Sequence, residues 1–259
     1  MVRGKSMLRI ALNGISGRMC RELVSSITSN RDLKLIGGID PMSDSPIEGI
    51  KVSHTADKIL PDADVVIDFS LPEGAMQILG ACQKMKKPLV TGTTGLTEDQ
   101  LKKFKAAGKT IPIVQAFNYS VGINLMLKLV AMAAQVLKGK CDVEIVETHH
   151  RRKKDAPSGT ALTLANRIAE ELHLSDKKDL KFGRYGKDVP RGKEIGIHSL
   201  RGGSVIGEHT VSFFGENENL SIAHQALNRK IFVDGALLAA QWIVTKKNGL
   251  YSMQDVLNF

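Results

Sequence analysis

Leu8-Arg9-Ile10-Ala11-Leu12-Asn13-Gly14-Ile15-Ser16-Gly17-Arg18-Met19-Cys20 runs from a short, apolar, β-prone segment straight into a glycine turn, and Leu23, Val24 and Ile27 then recur at helical spacing. The reading is strand, turn, helix. Glycines in such a turn keep side chains off the backbone where it opens a helix, and the positive end of the helix dipole there suits a pyrophosphate. Gly14, Ile15, Ser16, Gly17, Arg18 and Met19 are therefore candidate cofactor contacts. Glycine also serves ordinary tight turns, so the surroundings have to decide.

The second strand, Leu33 to Ile39, ends in Asp40. That is roughly 20 residues past the glycines, where a carboxylate accepts hydrogen bonds from the adenosine ribose of a dinucleotide. Further buried-type strands follow at Ala63 to Ser70, Leu89 to Thr91 and Ile111 to Ala116, with a helix from Pro72 to about Lys86. Alternating strands and helices predict a parallel sheet with ligands across the carboxyl ends of its strands. Gly92-Thr93-Thr94 and Ala116-Phe117-Asn118-Tyr119 stand at those ends. Pro41 to Lys58 and Ser175 to Lys193 read as loops, rich in Pro, Gly and polar residues.

An apolar helix over Val121 to Val136 leads towards a second region, where Cys141 to Glu147, Glu194 to Leu200, Ile206 to Phe214 and Asn219 to Gln225 alternate as strands. They predict one open mixed sheet. His198, His209 and His224 are expected on one side of it or at its rim in structural roles, and a last helix starts near Asn228 before a short tail from Leu250 to Phe259.

Between these strands lies Glu147-Thr148-His149-His150-Arg151-Arg152-Lys153-Lys154-Asp155-Ala156-Pro157-Ser158-Gly159-Thr160-Ala161. Two imidazoles and four cations precede a helix start with Pro157 in its first turn, and Ala161, Leu164, Ala165, Ile168 and Leu172 continue at helical spacing to about His173. Amides at a helix N-terminus bind carboxylates, imidazole exchanges protons near neutral pH, and a Lys ammonium holds anions or donates a proton. The set suits a small substrate with more than one carboxylate. Ser158 and Thr160 also read as plain helix caps, and the basic run as a solvated face.

Composition narrows the classes. A chain of 259 residues holds one large or two modest domains. No apolar run approaches the ~18 residues of a membrane span, so no membrane and a cytoplasmic location are expected. Three dispersed cysteines, Cys20, Cys82 and Cys141, argue against a disulfide framework or a zinc site, and no metal is expected. The net charge of +9 raises nucleic acid binding, but the cations are scattered and no aromatic residue interleaves with them, so none is expected. Steering of an anionic cofactor and substrate accounts for the charge.

His149-His150-x-x-Lys153-x-Asp155-Ala156-Pro157-Ser158-Gly159-Thr160-Ala161 closely resembles the signature of the 4-hydroxy-tetrahydrodipicolinate reductase (dihydrodipicolinate reductase) family, and the likeness runs from about Leu8 to the C-terminus. The resemblance implies a Rossmann-type parallel sheet domain over residues 1–120 and an α+β substrate-binding and oligomerisation domain with an open mixed sheet over 121–229. It also implies that 230–259 returns to the first domain, and that the protein is a homotetramer. The implied reaction is hydride transfer from NADH and/or NADPH to 4-hydroxy-2,3,4,5-tetrahydrodipicolinate, with loss of water, in diaminopimelate and lysine biosynthesis. On the same basis His149 is the general acid/base and Lys153 the proton donor, while His150, Gly159 and Thr160 hold the carboxylates. Gly92, Thr93, Thr94, Ala116, Phe117, Asn118 and Tyr119 would line the nicotinamide and its ribose.

Two positions depart from the family. Cys20 replaces the last glycine of its Gly-x-x-Gly-Arg-Met-Gly turn, and Pro41 stands where many relatives place an Arg that meets the 2′-phosphate of NADP. A preference for NADH is expected, with Lys51 or Arg18 as cations that would restore NADPH use. Two other readings stay open: another NAD-dependent dehydrogenase of amino-acid or aspartate type, and a non-catalytic NAD-sensing regulator that binds nucleic acid.

Overall fold

The computed structural model describes residues 7–42, 45–47, 49–175 and 178–259. The chain divides into two compact units, one running to Val121 and resuming over Lys230–Phe259, the other Gly122–Arg229.

The first unit contains β1 (Leu8–Asn13), α1 (Arg18–Thr28), β2 (Leu33–Ile39), β3 (Val52–Ser53), β4 (Val65–Asp68), α2 (Pro72–Met85), β5 (Leu89–Thr91), α3 (Glu98–Ala107) and β6 (Pro112–Gln115). The strands form one parallel sheet in the order β12-β6-β5-β4-β1-β2-β3, where β12 is Gly249–Tyr251. Central strands of such a sheet are buried on both faces, which is why they are apolar without alternation. Ile10, Leu12 and Ile67 pack on one side with Leu23, Ile27, Val233 and Ala240, whereas Ala11 and Val66 pack on the other with Ile78, Leu79 and Phe104. The order turns back at β1, between β2 and β4, the switch point at which such sheets bind ligands.

Several segments differ from their sequence reading. The Pro41 to Lys58 loop contains β3, whose two residues pair with Gly38 and Ile39. The helix α3 begins with a capping box, in which the Thr97 hydroxyl accepts from the Gln100 amide and the Gln100 side chain accepts from the Thr97 amide. The expected tail from Leu250 supplies β12, paired with Pro112, Ile113 and Val114, and then α7 (Met253–Val256). Ahead of it α6 (Lys230–Ile243) buries Val233, Ala236, Ala239, Ala240 and Ile243 in the core.

The second unit has a sheet of order β11-β10-β7-β9-β8. Its strands are β7 (Asp142–His149), β8 (Leu180–Phe182), β9 (Ile195–Arg201), β10 (Gly207–Phe214) and β11 (Asn219–Ala226). The β7–β9 and β8–β9 pairs are parallel and the β10 pairs antiparallel, so the sheet is mixed. Strand β8 lies within the stretch read as the Ser175 to Lys193 loop; three residues are too few to show a period. The helices α4 (Val121–Leu137) and α5 (Gly159–Leu172) cover one face, packing Met126, Val130, Leu164 and Ile168 on Val143, Ile145, Val211 and Phe213. Pro157 lies before the α5 N-cap, Ser158, and not in the first turn; His173 closes the helix in the left-handed conformation.

Candidate active site

At the β1 end Gly14 has φ +74, and a Cβ there would lie 3.0 Å from the Ser70 Cα. Gly17 caps α1 without offering a side chain to its first-turn amides, which leaves the helix N-terminus open to an anion. Ile15 is fully buried and fills the space above Gly38, where a Cβ would overlap it. The Asp40 carboxylate accepts from the Ser16 amide at 3.1 Å and the Met42 amide at 3.0 Å, which ties the turn to the end of β2. Arg18 is exposed and Met19 packs on the core. Cys20 is buried with its thiol 3.4 Å from the Asn13 carbonyl, and burial, then the charge of Asp68, pushes the thiol pKa up.

Asp68, read from the sequence only as part of a strand end, organises the neighbouring loops. Its Oδ1 accepts from Asn13 at 2.8 Å, the Ser70 hydroxyl at 2.6 Å and the Ser70 amide at 3.1 Å; its Oδ2 accepts from Thr91 at 2.7 Å and Thr93 at 2.9 Å. The buried Thr93 hydroxyl thus faces Asp68, and Gly92 sits against the Phe69 ring, where any Cβ would collide. Thr94 is exposed. The Ala116 amide donates to the Thr91 carbonyl, Phe117 is exposed, and Asn118 accepts from the Ser120 amide. Tyr119 is buried, its hydroxyl donating to the Thr91 carbonyl at 2.8 Å.

In the second unit the inward side chains of β7 are Val143, Ile145, Glu147 and His149. The apolar alternation therefore continues into a carboxylate and an imidazole. Strand register sets Arg201 opposite His149 and His209 opposite Glu147. Glu147 is completely buried, and Arg201 grips it with two parallel bonds of 2.7 and 2.9 Å. The Ser158 amide donates to Glu147 Oε1 at 3.0 Å, and His149 Nδ1 lies 2.5 Å from Oε2. Burial alone would raise this carboxyl, but the Arg201, His149 and Ser158 hydrogen bonds outweigh it and hold the pKa down to about 2.

Burial also lowers the His149 pKa, against the pull of Glu147 and with help from the charges of Lys153 and Arg201. The His209 ring stands edge-on to His149 with centroids 5.2 Å apart, and its Nε2 is 3.1 Å from the Ser158 hydroxyl. Burial, then His149, brings His209 down to about 4. The Ser158 hydroxyl also accepts from the Ala161 amide, so the α5 N-terminus is pinned to β7 and β10 together; Gly159 and Thr160 supply the other first-turn amides. A Cβ on Gly159 would meet nothing within 4 Å. Lys153 pairs with Asp155 at 2.8 Å, and the buried His150 Nδ1 has no hydrogen-bond partner.

The site joins residues that one signature had singled out, His149, His150, Lys153, Gly159 and Thr160, to three that it had not: Glu147 within the same run, and Arg201 and His209 from other strands. Alternation through Val143 and Ile145 marks Glu147 as inward-facing, and an inward carboxylate needs partners.

Comparison with known proteins follows the same two-part division. Residues 8–119 match the family described as dihydrodipicolinate reductase, N-terminus, and residues 122–257 match dihydrodipicolinate reductase, C-terminus. The 4-hydroxy-tetrahydrodipicolinate reductase of Alkalilimnicola ehrlichii is 43% identical over 96% of this chain and 98% of its own. That of Caldanaerobacter subterraneus subsp. tengcongensis is 42% identical over 97% and 98%. A dipicolinate-bound dihydrodipicolinate reductase from Paenisporosarcina sp. TG-14 superposes with a TM-score of 0.79 at 26% identity, covering 96% of this chain and 98% of that one. Aspartate dehydrogenase from Thermotoga maritima shares the fold alone, at 13% identity and a TM-score of 0.53 over 90% of this chain and 95% of that one.

Proposed function

The chain belongs to the dihydrodipicolinate reductase family, and from that premise we propose how its residues divide the work. The enzyme is an NAD(P)H-dependent oxidoreductase that reduces 4-hydroxy-tetrahydrodipicolinate to tetrahydrodipicolinate in diaminopimelate and lysine biosynthesis. Bound reduced nicotinamide supplies the hydride. In the first unit Gly14 and Gly17 leave room for the pyrophosphate at the α1 amides, and Arg18 and Met19 flank it. Each Asp40 oxygen accepts one backbone amide and keeps a lone pair for a ribose hydroxyl. The backbone at Gly92, Thr93 and Thr94 and at Ala116, Phe117, Asn118 and Tyr119 borders the nicotinamide half.

In the second unit His150 and the amides of Gly159 and Thr160 receive the substrate carboxylates. Reduction leaves charge on the substrate ring that a proton must neutralise; His149 exchanges that proton and Lys153 donates. The observation that carries this reading is the convergence of the imidazole and the helix N-terminus on one carboxylate: Glu147 binds His149 through one oxygen and the Ser158 amide of the α5 cap through the other. The test is loss of NAD(P)H absorbance with freshly made synthase product. His149→Gln and Lys153→Ala are each expected to lower kcat by about 10²-fold or more. Near-normal turnover in a folded Lys153→Ala protein would overturn the assignment. Gly159→Val is expected to raise KM.

We extend the proposal to cofactor choice, assembly and location. Asp40 is followed by Pro41 where many relatives place an Arg, and Lys51 Nζ points to the Lys58 carbonyl at 3.5 Å, which leaves the Asp40 carboxylate to repel a 2′-phosphate unless Arg18 offsets it. A higher kcat/KM for NADH than for NADPH is expected; a strong NADPH preference would refute it. Val146, Leu200 and Phe214 are exposed on the sheet face opposite α4 and α5, which favours a homotetramer built on that face. Among the described residues no helix is long and apolar enough to cross a membrane, in keeping with a cytoplasmic enzyme.

A further inference from the structure

An imidazole that exchanges a proton has two nitrogens, and catalysis needs the right one to face the substrate. In this site the choice follows from the partners of Glu147. Its side chain is fully buried, held by the two terminal Arg201 nitrogens and the Ser158 amide, and an ionised carboxylate can only accept hydrogen bonds. The hydrogen between Glu147 Oε2 and His149 Nδ1 therefore belongs to the imidazole. A neutral ring carries one such hydrogen, so Nε2 has the lone pair. On the Nε2 side lies Gly207, where a Cβ would come within 3.0 Å of that nitrogen. Glycine at this position keeps that edge of the ring clear.

We propose that Glu147, locked by Arg201, is a positioning residue that fixes the tautomer of His149, so that Nε2 is the nitrogen that takes and returns the proton. Once a solvent hydronium ion has protonated the Nε2 lone pair, the ring is an imidazolium. When Nε2 gives that proton its N–H bond breaks, the electron pair stays on nitrogen, the proton goes to the substrate ring, and the neutral Nδ1–H ring is left ready for the next hydronium. The proposal rests on the reading that His149 is the proton-exchanging group. The groups facing its ring are Glu147 from β7, Lys153 from the following turn, Arg201 from β9 and His209 from β10.

The first test needs no variant. Nitrogen–proton correlation spectra of the whole enzyme at neutral pH are expected to show His149 protonated at Nδ1; an Nε2–H tautomer would overturn the proposal. Glu147→Gln keeps the shape but lets an amide donate to Nδ1. It is expected to lower kcat by about 10²-fold or more with KM for both ligands within about threefold, and to shift the ring to the Nε2–H form. The His149 limb of its pH–rate profile is expected to move to lower pH, because the carboxylate that favours the cation is gone. Since this variant strands the Arg201 charge, Arg201→Lys serves as a milder second case, with about a tenfold loss in kcat and unchanged KM. Normal kcat and an unchanged tautomer in folded Glu147→Gln, with His149→Gln inactive, would overturn the positioning role alone. Full activity in His149→Gln would overturn the reading beneath it.

Discussion

Asp68 and Glu147 are both carboxylates with no exposed surface, one in each unit, and their partners differ in kind. Asp68 is held by an Asn amide, three hydroxyls and a backbone amide, and among the described residues no cation pairs with it. Glu147 is held by a guanidinium, an imidazole and a helix-cap amide. Neutral donors that cannot titrate near pH 7 make a fixed knot that fastens the ends of β1, β4 and β5. A partner that can titrate makes a device that responds to protons. Burial alone therefore does not mark a carboxylate as catalytic; the chemistry of its donors separates scaffold from machinery.

Removing the knot is expected to have the largest effect on stability. Asp68→Ala removes the shared acceptor of Asn13, Ser70, Thr91 and Thr93 and leaves the Thr91 hydroxyl without its acceptor in the core, and a loss of about 3 kcal/mol in chemical denaturation is expected. A loss below about 1 kcal/mol would mean that the knot is redundant. Acid titration is expected to be the comparable effect in the second unit. His209 has a folded pKa near 4 against an ordinary 6.5, so the unfolded chain binds its proton first and stability falls as pH drops from 6.5 towards 4. That step is on the order of 3 kcal/mol. Glu147, lowered to about 2 from 4.5, adds a second decline below pH 4.5. Stability that stays flat between pH 6.5 and 4 would contradict the burial of a neutral His209. Cys20→Gly restores the family's glycine but empties a buried core position in α1, and is expected to cost about 1–2 kcal/mol, read from the denaturation midpoint. Ser158→Ala is expected to cost about 1 kcal/mol through the lost cap, and to raise the KM for substrate more than that for cofactor.

What could be read from the chain followed from local rules. The glycine turn, the spacing to Asp40, and the periods of β7 and α5 each lie within one stretch, so both sheets and most residues of the candidate site were legible. Arg201 and His209 were not, because they reach Glu147 and Ser158 through strand register, at sequence separations of 54 and 51. Their roles depend on which strands become neighbours, and no local period encodes that. Strands β8 and β12 were missed for another reason: three residues at a sheet edge carry no alternation. Pro157 misled because a proline before an N-cap and one in a first turn look alike in sequence.

The segment carrying α6 and β12 has a bearing on how the protein is made. As the chain leaves the ribosome, Gly122–Arg229 has all of its strands before β12 exists, whereas the earlier-born sheet must wait with the β6 edge bare and the surface that α6 will cover still wet. A premature stop codon within that segment would therefore spoil the half of the molecule translated first.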